Sequence, residues 1–330
     1  MYNNEIHFSL WCDFVERSFL AGEFGTLIEH NIITAATSNP SIFKSAFLGS
    51  KAYVEDKKAL KGKPAKEVYE TLAIHDIKLA AHALLPLYEK GDDGFISIEV
   101  DPFLCDDAQG TVEEGKRLFQ AIGYPNVMIK VPATDAGFMA MEALLSEGIH
   151  VNATLIFSPL QTQKCLEAFA RANQKYEDKS VLPKAVVSIF VSRFDRMLDA
   201  RLKEADFVTS RVGIMNALRC YVMIEAYGLP NVRALFASTG VKGDILKPEY
   251  YITELLVKNA INTAPLETIN AFIHIAPKKS NAVPSSKDID NFFNALSANG
   301  IDIDQVYETL MQEGLKSFKE AFIEILTALE

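Results

Sequence analysis

The amino-acid sequence predicts an α/β fold, a (β/α)8 TIM barrel with a helical insertion after the second strand and extra C-terminal helices. Three observations carry this expectation. Eight short β-forming runs recur along the 330 residues, and most intervals between them hold a helical pattern. The runs are apolar on consecutive residues, as in strands buried on both faces, which suits a closed parallel barrel. The length also fits one such barrel with additions.

The strands are expected at Phe8–Asp13, Ile33–Ser38, Phe95–Val100, Val127–Pro132, His150–Phe157, Ala185–Val191, Val232–Ser238 and Asn259–Thr263, the last being short and polar. Amphipathic helices are expected at Glu113–Ala121 and Phe138–Ser146, with longer ones at Leu160–Tyr176, Phe194–Ala205 and Ser210–Tyr227. The stretch Ile42–Gly94 is longer than a crossover needs and contains helical Lys66–Lys90, so it reads as an insertion of several helices. Beyond the eighth strand, Leu266–Ala276 reads as a helix, Lys278–Ser286 as a polar loop, and Ile289–Leu296 and Ile303–Leu329 as closing helices. The final helix has a broad apolar face (Val306, Leu310, Leu315, Phe318, Phe322, Leu326) that could cover the barrel or an oligomer interface. No segment has a linker's composition, so we expect one domain over 1–330, with a core of about 8–265 and an extension of about 266–330.

Hydrophobic residues at 49% and charged residues at 23% describe a globular chain with a large core. The net charge of −10 argues against nucleic acid or an acidic membrane as the main partner, although a few local cations could still serve an anionic substrate. The four cysteines, Cys12, Cys105, Cys165 and Cys220, are scattered and form no CxxC pair, which fits a reduced, cytoplasmic chain. The opening Met1-Tyr2-Asn3-Asn4-Glu5-Ile6-His7 lacks the basic segment and apolar run of an export signal. No apolar stretch reaches the ~18 residues of a membrane span. A cytoplasmic location and no membrane partner are expected.

Chemistry is expected where polar residues close apolar strands, because barrel enzymes work at the C-terminal strand ends. Lys130 lies inside Asn126-Val127-Met128-Ile129-Lys130-Val131-Pro132-Ala133-Thr134. Burial disfavours an ammonium, so such a position can hold a neutral amine able to attack a carbonyl. The alternative is a lysine that snorkels to solvent. Asp13 closes the first strand and Thr37-Ser38-Asn39 the second, while Glu99 interrupts the third. Asn152 and Thr154 lie in the fifth, Ser188 and Arg193 in or just after the sixth, and Ser238 and Lys242 after the seventh. Each has an ordinary explanation. Asp13 could cap the next helix, Asn39 could start a turn before Pro40, and Glu99 could pair with Lys130 without reacting. Asn152, Thr154 and Ser188 could satisfy buried backbone groups, and Arg193 could be solvated. Together, though, so many polar strand ends around a buried lysine are costly outside a site.

Other signals carry less. Gly110–Lys116 and Gly240–Gly243 lack P-loop spacing. Among the histidines only His150 falls near the set, at the start of a strand, so metal catalysis is disfavoured. The Asp288-Ile289-Asp290-Asn291 and Asp302-Ile303-Asp304 segments lack the glycine and glutamate of a calcium loop and read as helix caps.

The segments Thr37-Ser38-Asn39-Pro40-Ser41-Ile42-Phe43, Ile98-Glu99-Val100-Asp101, Ile129-Lys130-Val131-Pro132-Ala133-Thr134 and Val151-Asn152-Ala153-Thr154-Leu155, with Val187-Ser188 through Ser192-Arg193 and Ala237-Ser238-Thr239, span most of the chain. In this order and spacing the sequence resembles the transaldolase family, in its longer bacterial subgroup, within the class I Schiff-base aldolases. The resemblance implies transfer of a dihydroxyacetone unit from sedoheptulose 7-phosphate to glyceraldehyde 3-phosphate, giving erythrose 4-phosphate and fructose 6-phosphate, in the pentose phosphate pathway. It implies Lys130 as the imine-forming amine, Asp13 as the base at the C4 hydroxyl, and Glu99 with Thr154 holding the exchanged water. Asn39, Asn152 and Ser188 would bind substrate hydroxyls, and Arg193 the phosphate. After Ser238 many relatives have an arginine two residues on; here Gly240 stands there, and Lys242 is the nearest cation. Neither metal nor organic cofactor is implied.

Two other functions fit the same residues: a class I aldolase or lyase that releases the three-carbon product, and a non-catalytic barrel that binds sugar phosphates. Apolar positions on the terminal helix would suit a homodimer.

Overall fold

The computed structural model describes residues 5–243, 245–275 and 279–330. Among them, β1 (Ser9–Cys12), β2 (Ala35–Thr37), β3 (Ile96–Glu99), β4 (Val127–Pro132), β5 (His150–Ile156), β6 (Ala185–Phe190), β7 (Val232–Ala237) and β8 (Ile261–Ala264) pair in parallel in chain order. β8 closes on β1, with Trp11 opposite Thr263. The result is a closed (β/α)8 barrel, as the strand–helix alternation predicts. The expected opening residues 1–4, the helix end at Ala276 and the loop start at Lys278 lie outside the described residues.

Both strand faces are buried, and their residues divide into two layers. Leu10, Cys12, Val127, Ile129, Val187 and Phe236 pack outward under the helices. Trp11, Met128, Val186, Leu235 and Ile261 face into the barrel as one apolar layer. Because side chains alternate along a strand, Asp13, Lys130, Ser188 and Thr263 come one layer above these residues, at the C-terminal mouth. At the opposite mouth Arg233 Nη1 pairs with Asp93 Oδ1 at 2.8 Å, and the indole of Trp11 donates to Asp93 Oδ2 at 2.9 Å. This closes the barrel floor with a hydrogen-bonded ion pair.

Several boundaries differ from the expectation for local reasons. β8 begins at Ile261 instead of Asn259, because Asn259 is in the left-handed region (φ 59°) and turns the chain into the strand. The helix expected from Glu113 starts at Ala108, where Asp107 caps it by accepting from Gly110 N at 2.9 Å. Asp13 caps no helix among the described residues: the next helix, Arg17–Leu20, is capped by Glu16, which accepts from Phe19 N.

The insertion after β2 forms Pro40–Gly49, Val54–Ala59 and the long Ala65–Glu89. After β8 come Leu266–Ile275, Ser286–Ala298 and Ile303–Leu329, the last capped by Asp302. Helix Ile303–Leu329 lies across the C-terminal mouth. Val306, Leu310, Phe318 and Phe322 are buried there, and Phe322 meets Tyr69 at 5.1 Å. Most of its apolar face is therefore spent within the chain, against the insertion helices and the barrel mouth, while Ile323 is half exposed. No helix among the described residues is long and apolar enough to cross a membrane.

Candidate active site

Seven of the ten expected site residues line one cavity of about 270 Å³ at the C-terminal mouth: Asp13, Asn39, Lys130, Ser188, Arg193, Ser238 and Lys242. Glu99, Asn152 and Thr154 are buried and do not line it. A larger cavity of about 490 Å³ opens at the opposite mouth, lined by Trp11, His150 and Arg233 among others, and holds none of the ten. The chemistry-bearing residues choose the smaller one.

Lys130 does not snorkel. It is 5% exposed, and its Nζ lies 2.6 Å from Glu99 Oε1 and donates to the Ser38 carbonyl at 2.7 Å. The pairing follows from register, since Glu99 on β3 is the direct neighbour of Lys130 on β4. Burial pushes the Glu99 carboxyl up to about 7, against the opposing pull of Lys130. Glu99 can therefore take up or release a proton near neutral pH while it touches Lys130.

Asp13 opens onto the cavity. Its Oδ1 accepts from Thr37 Oγ1 at 2.7 Å, and Asn39 Nδ2 lies 3.5 Å from both oxygens. Desolvation raises its carboxyl above the ordinary carboxylate range, while Lys130, Thr37 and Asn39 pull it down. Asn39 also caps helix Pro40–Gly49, accepting from Ile42 N at 3.0 Å, so its structural role and its place in the cavity coexist.

Asn152 is fully buried next to Lys130 in register. It accepts from Ser188 Oγ at 2.6 Å and donates to Ser97 Oγ at 3.0 Å, which fixes its amide orientation. The Thr154 hydroxyl is buried with no hydrogen-bond partner among the described residues. Just after it, Leu155 takes a left-handed backbone (φ 58°) where the β5–β6 register shifts. Gln161 clamps that bend. Its Nε2 donates to the carbonyls of Ala133 and Leu155, and its Oε1 accepts from the backbone N–H groups of Phe157 and Ser158.

Arg193 is half-buried in the first turn of Ser192–Glu204, with its guanidinium 5.2 Å from the Phe190 ring centre and no hydrogen bond among the described residues. Desolvation and the nearby Arg196 lower it to about 10. A guanidinium so placed at the cavity wall suits a bidentate anion. Gly314 makes room for it: a Cβ there would stand 3.0 Å from Leu155 Cδ2 and 3.5 Å from Arg193 Nη1. Ser238 has a left-handed backbone (φ 55°), and its carbonyl accepts from Ser192 N, joining the loop after β7 to the Arg193 helix. Lys242 is exposed farther along that loop.

The cavity also contains residues that the sequence did not single out for a role. Thr37 and Thr263 share a 2.7 Å contact, and Phe190 and Phe318 form apolar wall. Thr37 closes the second strand, but a threonine in a strand gives no signal of its own. Phe318 comes from the distant closing helix. Among the described residues no group of three His, Cys, Asp or Glu side chains is placed to hold a metal.

The sequence profile described as transaldolase/fructose-6-phosphate aldolase matches residues 10–329. A protein of Campylobacter jejuni subsp. doylei named transaldolase is 47% identical over 335 aligned positions, covering 98% of this chain and 99% of the relative. One of Helicobacter pylori with the same name is 45% identical, covering 97% and 99%. Profile and relatives span the barrel and the closing helices alike, and the chain belongs to the transaldolase/fructose-6-phosphate aldolase family.

Proposed function

We propose that this protein is a transaldolase, a transferase that moves a dihydroxyacetone unit between sugar phosphates through an imine on Lys130. The observation that carries the reading is the buried Lys130–Glu99 contact beside Asp13 in one cavity. Proton transfer from Nζ to Glu99 frees the amine to add to the ketone carbon of fructose 6-phosphate or sedoheptulose 7-phosphate. The carbinolamine loses water to give a protonated imine, with Glu99 and Thr154 holding that water. Asp13 takes the C4 hydroxyl proton as the C3–C4 bond breaks. The electron pair of that bond forms an enamine, and the aldose phosphate leaves. An acceptor aldehyde then reverses these steps, with Asp13 returning the proton. Asn39, Asn152 and Ser188 would hold the hydroxyls of the retained unit, and Arg193, with Ser238 and Lys242 nearby, the phosphate at the other end of the ketose, which leaves with the aldose phosphate. Cytoplasmic sugar-phosphate metabolism by the pentose phosphate route, and a homodimer, belong to the same reading.

Borohydride reduction with fructose 6-phosphate tests it. A covalent adduct on Lys130 is expected, absent in Lys130→Ala, and an adduct on another lysine or none overturns the proposal. Adding erythrose 4-phosphate should give transfer. Release of free dihydroxyacetone without an acceptor would instead identify an aldolase.

A further inference from the structure

We infer that Thr263, acting through Thr37, is a positioning residue that orients Asp13 so that Oδ2 is the oxygen exchanging a proton with substrate. The inference rests on the proposed role of Asp13. Thr37 Oγ1 stands 2.7 Å from Asp13 Oδ1 and 2.7 Å from Thr263 Oγ1. Its hydroxyl has one proton. An ionised carboxylate is a stronger acceptor than a hydroxyl, so that proton goes to Oδ1. Thr263 must then be the donor to Thr37. The direction of the chain is set: Thr263 to Thr37 to Asp13 Oδ1.

The consequence for Asp13 is asymmetry. Oδ1 is occupied by a short hydrogen bond, while among the described residues Oδ2 has only the 3.5 Å approach of Asn39. Oδ2 is the oxygen left to take a proton. Asp13 directly follows β1, and Thr37 and Thr263 lie on β2 and β8, so the relay also ties the barrel's closing seam to the base. Thr263 is buried, and Thr239 anchors its backbone by donating to its carbonyl at 2.9 Å.

Other charges that face Asp13 come from Lys130 on β4 and Glu99 on β3, and Arg193 and Lys242 line the same cavity. None of these changes when Thr263 is replaced. A hydrogen bond to the ionised form favours it, so a weaker Thr37 bond makes Asp13 harder to ionise.

The test compares wild type with Thr263→Val and Thr263→Ser, with Thr263→Ala as a second hydroxyl-free variant should valine not fold. In Thr263→Val the acid limb of kcat should move up by about half a unit to one unit, and the rate of C3–C4 cleavage should fall about tenfold. KM should stay within about twofold, and serine should restore both limb and rate. The borohydride adduct on Lys130 should form equally in all of them, because imine formation does not use the relay. Equal adduct formation with an unmoved limb in the hydroxyl-free variant, or no rescue by serine, overturns the role of Thr263 alone. No adduct in wild type overturns the imine reading, and this inference with it.

Discussion

Glu99 and Lys130 hold matched positions on adjacent parallel strands and meet at 2.6 Å inside the barrel. The Glu99 carboxyl, raised from 4.5 to about 7 by burial, binds its proton more tightly folded than unfolded. Its contribution to stability is therefore full below about pH 4.5 and is lost as pH rises through 7. Between pH 5 and pH 8 the Tm of wild type should fall relative to that of Glu99→Gln. A constant difference across that window, measured by calorimetry, would remove the buried-acid account of this pair.

His150 gives the opposite sign. Its Nδ1 accepts from Lys184 N at 2.8 Å and its Nε2 meets the Tyr88 hydroxyl at 3.1 Å, and desolvation lowers it to about 4. A histidine depressed from 6.5 takes up its proton more readily unfolded, so stability is lost as pH falls from about 6.5 towards 4, by up to about 3 kcal/mol. His150→Gln should flatten that acid slope in urea titrations. An equally steep slope in the variant would assign acid lability to other groups.

Arg193 and Lys242 should contribute unequally to substrate capture. The half-buried guanidinium has no competing hydrogen bond among the described residues, whereas Lys242 is exposed. Loss of a partly desolvated charge-assisted contact costs about 3 kcal/mol, and of an exposed one about 1 kcal/mol or less. Arg193→Ala should lower kcat/KM for phosphorylated ketose about a hundredfold, and Lys242→Ala less than tenfold. Reversed magnitudes would make Lys242 the principal phosphate ligand.

Gln161 should matter for both stability and rate although it touches no expected substrate group. It holds four backbone groups around Leu155, whose left-handed conformation is unfavourable for a branched side chain. Gln161→Ala should lose about 2–4 kcal/mol of stability and slow imine formation, because Thr154 sits on the released bend. If denaturant unfolding shows a loss below about 1 kcal/mol, the clamp is dispensable.

The fold was readable wherever both strand faces are apolar. The expected limits of β4 coincide with the observed Val127–Pro132, because six consecutive buried residues leave no ambiguity of face. β8 was the weakest to read because its polar residues are buried in pairs instead of facing water: Asn262 receives Thr239, and Thr263 contacts Thr37. At the site, charged side chains in otherwise apolar strands are legible in the sequence, as with Lys130 and Glu99. What stayed hidden was of two kinds. The Ser38 carbonyl that receives Lys130 could come from any residue, and Thr37 and Thr263 are ordinary strand residues until their 2.7 Å contact is known.

Helix Ile303–Leu329 places Phe318 in the cavity wall, and it follows all eight strands in the chain. During synthesis, the barrel's polypeptide leaves the ribosome before its roof exists. Phe318 can pack only against a cavity whose other walls come from earlier segments, so the closing of the site waits on the barrel that it covers.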